Sequence, residues 1–392
     1  MRKTKLLYDI EQLLMFAGRE TGICRMSLEV LKQISKHPKY EVYPILTIQK
    51  GENPEKYLKE KGLGYLVPNL VKMPYLKKTA QSYNLYKKIR CWFLTQKYTR
   101  QYMHQLNQYD EYISLFSPIS PIVYKSRMKT KMIIHDLFPL LLPQTCIPSF
   151  VRKFRSWIRQ VKADEIIFDS QSTLKDFLKF RPDYPEKQVK VVYLAADENF
   201  KPTIDRVIYG KYKIPTQKYV LCVSDFNPRK NLLYVINSFI QFLEESKVQD
   251  ISLVMVGPET DGYQLLLNQV SNIKTHKDKI IFTGYVMDSD MPALYSQAVA
   301  FLYPSLYEGF GLPILEAMQC GTPVVTCKNS SLPEVGGDAV LYVSETDVQE
   351  MADAMAELYN NPQKREELCQ KGIQNAQRFS WDKTVQQIFN LK

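Results

Sequence analysis

The sequence lacks the features of several protein classes. No uninterrupted apolar run approaches the ~20 residues that a transmembrane helix needs, and no internal repeat or low-complexity tract is present. The N-terminal segment MRKTKLLYDI is not followed by a sustained apolar core with a small-residue cleavage site, so we interpret it as a first strand rather than a signal peptide. The seven cysteines lack the spacing of a zinc site or a CxxC motif. We therefore expect reduced, structural cysteines in a cytoplasmic protein.

Length and charge set further bounds. The 392 residues, of which 45% are hydrophobic, are enough for two separate cores. Residues 1–200 contain 34 Lys and Arg against 19 Asp and Glu, whereas residues 201–392 contain 18 against 22, so the halves carry net charges of +15 and −4. This asymmetry indicates that the first half meets an anionic partner, for which a membrane surface, a lipid phosphate and nucleic acid are the candidates.

Two segments of the first half combine aromatic residues with cations. A long helix is predicted at 81–107, and the segment SFVRKFRSWIRQVK at 149–162 places Phe150, Phe154, Trp157 and Ile158 among five cations. Such helices suit the interface of an anionic bilayer, although aromatic residues facing the core beside solvated cations would give the same pattern. No nucleic-acid-binding module pattern is present. We expect contact with an anionic membrane surface and none with nucleic acid.

The second half contains the stretch FLYPSLYEGFGLPILEAMQCGTPVV, at 301–325, which predicts a strand, a loop and a helix. Gly309 and Gly311 allow the main chain of the loop to approach a ligand closely, and Pro313 suits the first turn of the helix. The free N–H groups of that turn, with the helix dipole, form an anion site. Glu308 and Glu316 would accept hydrogen bonds from hydroxyls of a sugar or ribose attached to the anion. An ordinary Gly-Pro turn is the alternative.

Two cations follow another predicted strand. The segment YVLCVSDFNPRKN begins with a strand from Tyr219 and then places Arg229 and Lys230 at the start of a predicted helix. Positive charge at a helix N-terminus opposes the helix dipole, and such local conflicts are typical of functional sites. A bound polyanion would resolve the conflict, whereas the alternative is a pair of solvated surface cations.

Together these segments resemble the retaining glycosyltransferases of family 4. Residues 303–325 resemble their donor-site signature, with two glutamates separated by seven residues, and NPRKN resembles the loop that holds the donor diphosphate. IIHDLFPLLLP, at 133–143, resembles the His-Asp loop of members similar to bacterial mannosyltransferases that build polysaccharide O-chains. The resemblance covers nearly the whole chain and is weak at 51–109. It implies an α/β fold of the GT-B type, in which two doubly wound, Rossmann-like domains face each other across a cleft.

The resemblance also implies a set of site residues. The catalytic residues expected are His135, Glu308, Arg229 and Lys230, with the two cations and the loop amides stabilising the departing diphosphate. Glu316 is expected to hold the ribose. The expected donor-binding residues are Gly22, Arg229, Lys230, Tyr285, Val286, Glu308, Gly309, Phe310, Gly311, Leu312 and Glu316.

Some of these assignments have a simpler alternative. Gly22 lies in GRETGICR, which resembles the TGIxR loop of the family and equally suits a plain strand–helix turn. His135 follows a strand at the crevice where α/β folds bind ligands, although most single histidines there are structural. Asp288 and Asp290 form the Asp-x-Asp triplet that binds metal in other glycosyltransferases, but they precede a helical run, so helix capping explains them. We expect neither a metal nor a cofactor.

The expected domain organisation has four parts. Residues 1–200 form an acceptor-binding Rossmann-like domain, residues 201–217 a linker, residues 218–378 a nucleotide-sugar donor-binding Rossmann-like domain, and residues 379–392 a helix that returns to the N-terminal domain. The last part rests on the resemblance of FSWDKTVQQIF to the closing helix of the family.

The function implied is a retaining, metal-independent hexosyltransferase of bacterial surface polysaccharide synthesis. It would move a sugar, mannose by similarity, from a nucleotide-diphosphate donor to a saccharide acceptor linked to a lipid diphosphate, at the inner face of the membrane. Two alternatives stay open. A non-catalytic subunit of an assembly complex would bind the donor and release no nucleotide, and a GT-B-like sugar-nucleotide epimerase would turn over the donor without an acceptor.

Overall fold

Two parallel β-sheets organise the chain. The computed structural model describes residues 2–15, 22–46, 53–73, 96, 99–116, 118–215, 218–259 and 261–391. The helix predicted at 81–107 lies largely outside these residues, as does the part of GRETGICR that precedes Gly22; residues 99–106 are helical.

The first sheet contains seven described strands. They are β1 (Thr4–Asp9), β2 (Tyr40–Leu46), β3 (Val71–Lys72), β4 (Glu111–Ser114), β5 (Lys129–Ile134), β6 (Glu165–Phe168) and β7 (Val189–Val191). All pair in parallel, in the order β3-β2-β1-β4-β5-β6-β7. Parallel neighbours need crossover connections, and the helices of this half are α1 (Glu11–Met15), α2 (Gly22–Lys36), α3 (Pro54–Glu60), α4 (99–106), α5 (Phe138–Leu141), α6 (Pro148–Gln160) and α7 (Gln171–Phe180).

The second sheet contains six described strands. They are β8 (Lys218–Val223), β9 (Ile251–Val256), β10 (Ile280–Gly284), β11 (Ala300–Tyr303), β12 (Val324–Cys327) and β13 (Leu341–Val343), in the parallel order β10-β9-β8-β11-β12-β13. The accompanying helices are α8 (Val207–Lys211), α9 (Leu232–Ser246), α10 (Asp261–Ser271), α11 (Met291–Ser296), α12 (Leu312–Gln319), α13 (Leu332–Gly336), α14 (Val348–Asn360), α15 (Pro362–Ala376) and α16 (Trp381–Phe389).

Three strands of the second sheet are buried along their whole length. Every residue of β9, with the sequence ISLVMV, is buried, and so is every residue of β11 and β12. Continuous apolar runs of this kind are typical of parallel sheets. The alternating strand–helix pattern therefore predicts the observed layers.

Each sheet has one point at which the strand order reverses. β1 lies between β2 and β4 in the first sheet, and β8 lies between β9 and β11 in the second. Connections leave such a point in opposite directions, which opens a crevice at the carboxyl ends of the strands. The loops that follow β5, β8 and β11 all lie at carboxyl ends, and they carry the predicted site residues His135, Arg229 and Glu308.

The C-terminal helix α16 packs on the first half. The ring centroids of Phe389 and Tyr40 lie 5.3 Å apart, and Lys190 Nζ donates a hydrogen bond to the main-chain oxygen of Gln387 at 2.7 Å. The predicted linker at 201–217 includes the short helix α8. The domain boundaries themselves stay predictions.

None of the helices in the described ranges combines the length and the apolar character that crossing a bilayer requires.

Candidate active site

A buried cluster of charge lies where the loops after β8 and β11 meet. Glu308 Oε1 accepts from Arg229 at 2.7 Å and from Lys230 Nζ at 2.6 Å, and Lys230 Nζ also donates to the Tyr303 hydroxyl at 2.9 Å. Burial raises the pKa of Glu308, but the charges and hydrogen bonds of Arg229 and Lys230 lower it to about 2. The cluster has one more positive than negative charge, so it is suited to an anion.

The two cations occupy a 3₁₀ turn, Pro228–Lys230, rather than the helix start that the sequence predicts. Asn227 caps this turn by accepting from the main-chain N–H of Arg229 at 3.0 Å. Asn231 has a φ of 58°, a left-handed conformation that asparagine tolerates, and α9 begins only after it. The cations thus precede α9 rather than forming its first turn, and Glu308 supplies negative charge beside them.

The loop that carries Glu308 is held by serine hydroxyls. Ser331 Oγ donates to the main-chain oxygens of Glu308 and Phe310, at 2.9 and 2.7 Å. Ser330 Oγ accepts from the main-chain N–H of Glu308 at 3.0 Å. Phe310 itself is buried, with its ring centroid 6.0 Å from that of Tyr193. Two serine side chains and a buried aromatic ring therefore hold the main chain of the loop at Glu308 and Phe310.

The loop leads into the N-terminus of α12. Gly311 has a φ of 112°, which side chains rarely adopt, and Pro313 lies in the first turn as predicted. No side chain of the described residues caps this helix. A β-carbon added to Gly22 would lie 3.2 Å from the Leu312 side chain. The two halves of the chain therefore meet closely at the anion site that the sequence predicts.

Glu316 lies in the second turn of α12 and is buried. Its Oε2 accepts from the Tyr295 hydroxyl at 3.0 Å, and its Oε1 lies 3.0 Å from a guanidinium nitrogen of Arg25. Arg25 belongs to α2 of the first half, so this ion pair crosses the cleft. Both carboxylate oxygens have partners within the chain.

His135 directly follows β5 and is also buried. Its Nδ1 lies 2.5 Å from a carboxylate oxygen of Asp169, and its Nε2 lies 2.6 Å from the main-chain oxygen of Leu115. Because a carbonyl oxygen only accepts, Nε2 donates. Burial lowers the pKa of His135, but Asp169 and the Leu115 carbonyl raise it above its ordinary value. Both ring nitrogens are therefore engaged within the first half, and the main-chain oxygen of His135 faces the Glu308 loop.

Asp136, the next residue, was not assigned from the sequence. Burial raises the pKa of Asp136 above its ordinary value, and the charge of Arg229 offsets only part of this effect. The Arg229 guanidinium also lies over the ring of Phe138, 5.0 Å from its centroid. The sequence signal that could have identified Asp136 is its neighbour His135, which was assigned to the site. Arg25 was missed as well, although it ends the TGIxR segment, because its partner is distant in sequence.

Tyr285 and Val286 follow Gly284, which ends β10 with a φ of 70°. Tyr285 is exposed and Val286 is buried, so only the tyrosine side chain is open to a ligand. The capping role predicted for Asp290 is wrong: its carboxylate makes no bond to the helix N–H groups and accepts instead from Lys211 Nζ at 2.6 Å and from the Tyr212 hydroxyl at 2.5 Å. This exposed ion pair ties α8 to the start of α11.

Comparison with known proteins gives this site a context. Residues 204–378 match the family described as Glycosyl transferases group 1. The chain is 34% identical over 212 residues to O-antigen chain mannosyltransferase B of Escherichia coli, covering 53% of this chain and 55% of that protein. It is 30% identical over 234 residues to O-antigen chain mannosyltransferase RfbU of Salmonella typhimurium, covering 58% and 60%. The chain thus spans little more than half the length of either relative.

Solved structures extend the likeness to the whole chain. The crystal structure of Anabaena Alr3699/HepE in complex with UDP and glucose matches with a TM-score of 0.73 at 17% identity, covering 99% of this chain and 98% of that chain. Sucrose-phosphate synthase from Thermosynechococcus elongatus matches with a TM-score of 0.71 at 16% identity. At these identities the matches concern the fold. The predicted GT-B fold, with two Rossmann-like domains, is confirmed.

Proposed function

We propose that this protein is a retaining hexosyltransferase that uses a nucleotide-diphosphate sugar. The observation that carries the proposal is the buried Arg229–Glu308–Lys230 cluster beside the uncapped N-terminus of α12. A diphosphate placed there would meet two fixed cations and the amides of Gly311 and Leu312. Donors that are already in position cost no reorganisation when charge develops on the leaving group, which makes this arrangement effective in catalysis.

The proposed reaction proceeds on one face of the donor sugar. The bond between the anomeric carbon and the donor phosphate oxygen breaks, and the hydroxyl of the acceptor attacks from the side that the phosphate leaves. The departing phosphate takes the proton of that hydroxyl. Arg229 and Lys230 stabilise the negative charge, which removes the need for a metal at the diphosphate. Glu308 then accepts hydrogen bonds from hydroxyls of the donor sugar.

The remaining residues bind and orient the donor in this proposal. Glu316 holds the ribose, exchanging part of its contact with Arg25 for the sugar hydroxyls, and the exposed Tyr285 with Val286 borders the nucleotide. His135 contributes through its main-chain oxygen, because its ring is held by Asp169 and Leu115. Mannose is the proposed sugar, since the two relatives described above are named as O-antigen chain mannosyltransferases.

The test is a transfer assay with GDP-mannose and other nucleotide sugars, with and without magnesium and with saccharide acceptors. We expect nucleotide release only when an acceptor is present, and an α-linked product by NMR from an α-linked donor. Donor turnover without acceptor would favour an epimerase. Donor binding without release under any condition would favour a non-catalytic subunit.

We further propose that the first half contacts an anionic membrane at the inner face, where a lipid-diphosphate-linked saccharide would be the acceptor. Ile147 and Phe150, at the start of α6, are exposed, whereas Phe154 and Trp157 are half-buried and Ile158 is buried. The membrane-facing apolar surface is thus smaller than the pattern predicts. Four cations of the same helix are exposed, Arg152, Lys153, Arg155 and Arg159.

Flotation with phosphatidylglycerol vesicles at low salt tests the membrane contact. Each cation near an anionic surface contributes about 1 kcal/mol, so changing Arg152, Lys153 and Arg155 to glutamine should release most of the protein. The matched control changes Lys364, Lys371 and Lys383, on helices of the other end of the chain. No flotation of the unaltered protein, or equal loss in both variants, would contradict this proposal.

A further inference from the structure

Helix α7 of the first half contacts the Glu308 loop on both sides of Glu308. Thr173 Oγ1 lies 3.2 Å from the main-chain oxygen of Gly309, and the Tyr307 hydroxyl donates to a carboxylate oxygen of Asp176 at 3.0 Å. Thr173, Asp176 and Tyr307 are all buried. Thr173 and Asp176 are three residues apart and so share one face of the helix. One helix therefore holds the two residues that flank the central glutamate of the site.

The approach of the loop to the first half is as close as the main chain allows. A β-carbon at Gly309 would lie 1.9 Å from the main-chain oxygen of His135, a distance that real β-carbons do not show. Thr173 Oγ1 is also within 3.4 Å of the same His135 oxygen. Any larger residue at Gly309 would push the Glu308 loop away from the main chain at His135, and with it from Thr173. The glycine of the EGFG segment is thus required by this contact across the cleft.

The N-terminus of α7 receives a carboxylate from the second half. Glu334, on α13, accepts from the main-chain N–H groups of Gln171 and Ser172, both at 2.8 Å, and from the Tyr193 hydroxyl at 3.1 Å. Negative charge at this position satisfies free N–H groups and complements the helix dipole. The contact fixes α7 against the second half at one end, next to the point where Thr173 reaches the loop.

The contacts continue from α7 to the cations. The guanidinium of Arg229 donates to the main-chain oxygen of Tyr307 at 2.9 Å, while the side chain of the same tyrosine is bound by Asp176. Tyr307 therefore links α7 to Arg229, and Glu308 is the next residue. A shift of the loop away from α7 would move Glu308 relative to both cations.

We propose that Thr173 and Asp176 are positioning residues for the reaction. When the two halves are closed, α7 aligns the Glu308 loop with Arg229 and Lys230, so that the first half, which supplies none of these charges, completes the charged site. This inference rests on the proposed transferase function. It assigns to α7 an effect on the chemical step rather than on nucleotide affinity, since the cations that bind the diphosphate belong to the second half.

The test uses Tyr307→Phe, Asp176→Ala and the double variant, since alanine has no oxygen to accept from the Tyr307 hydroxyl. Each single change should lower kcat at least tenfold while the Kd of the nucleoside diphosphate stays within threefold. The double variant should lose no more than the more impaired single variant, because both changes remove one hydrogen bond. Tyr359→Phe is the matched control: its hydroxyl donates to Asp250 at 2.5 Å on a different part of the second half, and its kcat should not change.

Hydrogen–deuterium exchange of the 305–311 peptide gives a readout that does not need activity. We expect faster exchange in the Tyr307→Phe and Asp176→Ala variants and unchanged exchange in the control. Unchanged exchange and a kcat within twofold of the unaltered protein would overturn the proposal, as would a nucleotide affinity that falls in parallel with kcat. If the unaltered protein neither binds nucleotide nor transfers sugar, the proposed function fails, and with it the catalytic role of α7, whatever the exchange shows.

Discussion

The two walls of the cleft obtain their polar residues in different ways. The second half supplies Arg229, Lys230, Glu308 and Glu316 from two short segments that can be recognised in the sequence. The first half supplies Arg25, His135, Thr173 and Asp176 from separate elements, one or two residues at a time. A group of polar residues on contiguous segments can be recognised in a sequence, whereas one assembled by tertiary contacts cannot.

The walls differ in charge balance as well. In the second half, two cations share one carboxylate, which leaves positive charge for a ligand. In the first half, some polar groups pair with each other, as His135 does with Asp169 and Tyr112 does with Asp9, and others pair with groups of the second half, as Arg25 does with Glu316. We therefore expect changes in the second half to alter chemistry, and changes in the first half to alter mainly stability and alignment.

The largest expected effect is that of the Arg229→Ala, Lys230→Ala double variant. Loss of one preorganised donor costs ~3–4 kcal/mol in the transition state, so kcat/KM should fall on the order of 10³-fold or more. The variant also leaves Glu308 buried and unpaired, which typically costs ~3–5 kcal/mol of stability. Adding Glu308→Gln should restore much of the melting temperature and none of the activity. A loss of activity under tenfold would refute the diphosphate assignment.

Glu308→Gln alone should reduce turnover by about two orders of magnitude, because the amide keeps the shape and removes the charge. An enzyme that keeps most of its turnover would remove Glu308 from the catalytic residues.

The dependence of stability on pH in the acid range offers a second test of Glu308. With a pKa lowered from 4.5 to about 2, Glu308 contributes stability that is present above pH 4.5 and is lost as the pH falls toward 2. The free energy of unfolding, measured with urea, should therefore change less between pH 7 and pH 3 in the Glu308→Gln variant than in the unaltered protein.

Arg25→Met tests the ion pair that crosses the cleft. Because Glu316 would keep only Tyr295 as a partner, we expect a lower melting temperature, and a double-mutant cycle with Glu316→Gln should give a coupling of about 0.5–3 kcal/mol. Lys32→Met is the matched control on the same helix, since its pairing with Glu29 is local. If Arg25→Met and Lys32→Met lower the melting temperature equally, or if the coupling energy is near zero, the ion pair of Arg25 with Glu316 does not stabilise the contact between the halves.

His135→Gln should have the smallest effect on turnover, less than tenfold, because the imidazole faces Asp169 and Leu115. The raised pKa of His135 has a defined sign for stability. The pair of His135 with Asp169 stabilises the fold fully when the pH is below 6.5, the ordinary pKa of histidine. This contribution is lost as the pH rises through the raised pKa of His135. Unfolding free energies at pH 6 and pH 9 should therefore differ more in the unaltered protein than in the variant. A turnover loss as large as that of Glu308→Gln would place the ring on the substrate.

These contrasts explain what the sequence could predict. Alternating apolar strands and helices predict both sheets, and the 303–325 segment predicts the turn and the Pro313 helix start. The predictions that differ from the structure concern residues whose conformation or partners depend on more distant parts of the chain. Asp290 seemed to cap a helix because its actual partners, Lys211 and Tyr212, are distant in sequence. Arg229 and Lys230 were expected at the start of a helix, but they form a 3₁₀ turn because Asn231 delays the start of α9. No local pattern reveals that Glu334 caps α7.

The most direct test of the account is thermal unfolding with GDP, UDP, dTDP and ADP, repeated without magnesium and on the Arg229→Ala, Lys230→Ala and Glu316→Ala variants. A ligand at about 100 times its Kd adds about 2.7 kcal/mol of stability. We predict that one nucleoside diphosphate raises the melting temperature without metal, and that this rise is lost when the two cations or Glu316 are replaced. A rise that survives those replacements, or no rise with any of the four nucleotides, would contradict the assignment of a donor site to the second half.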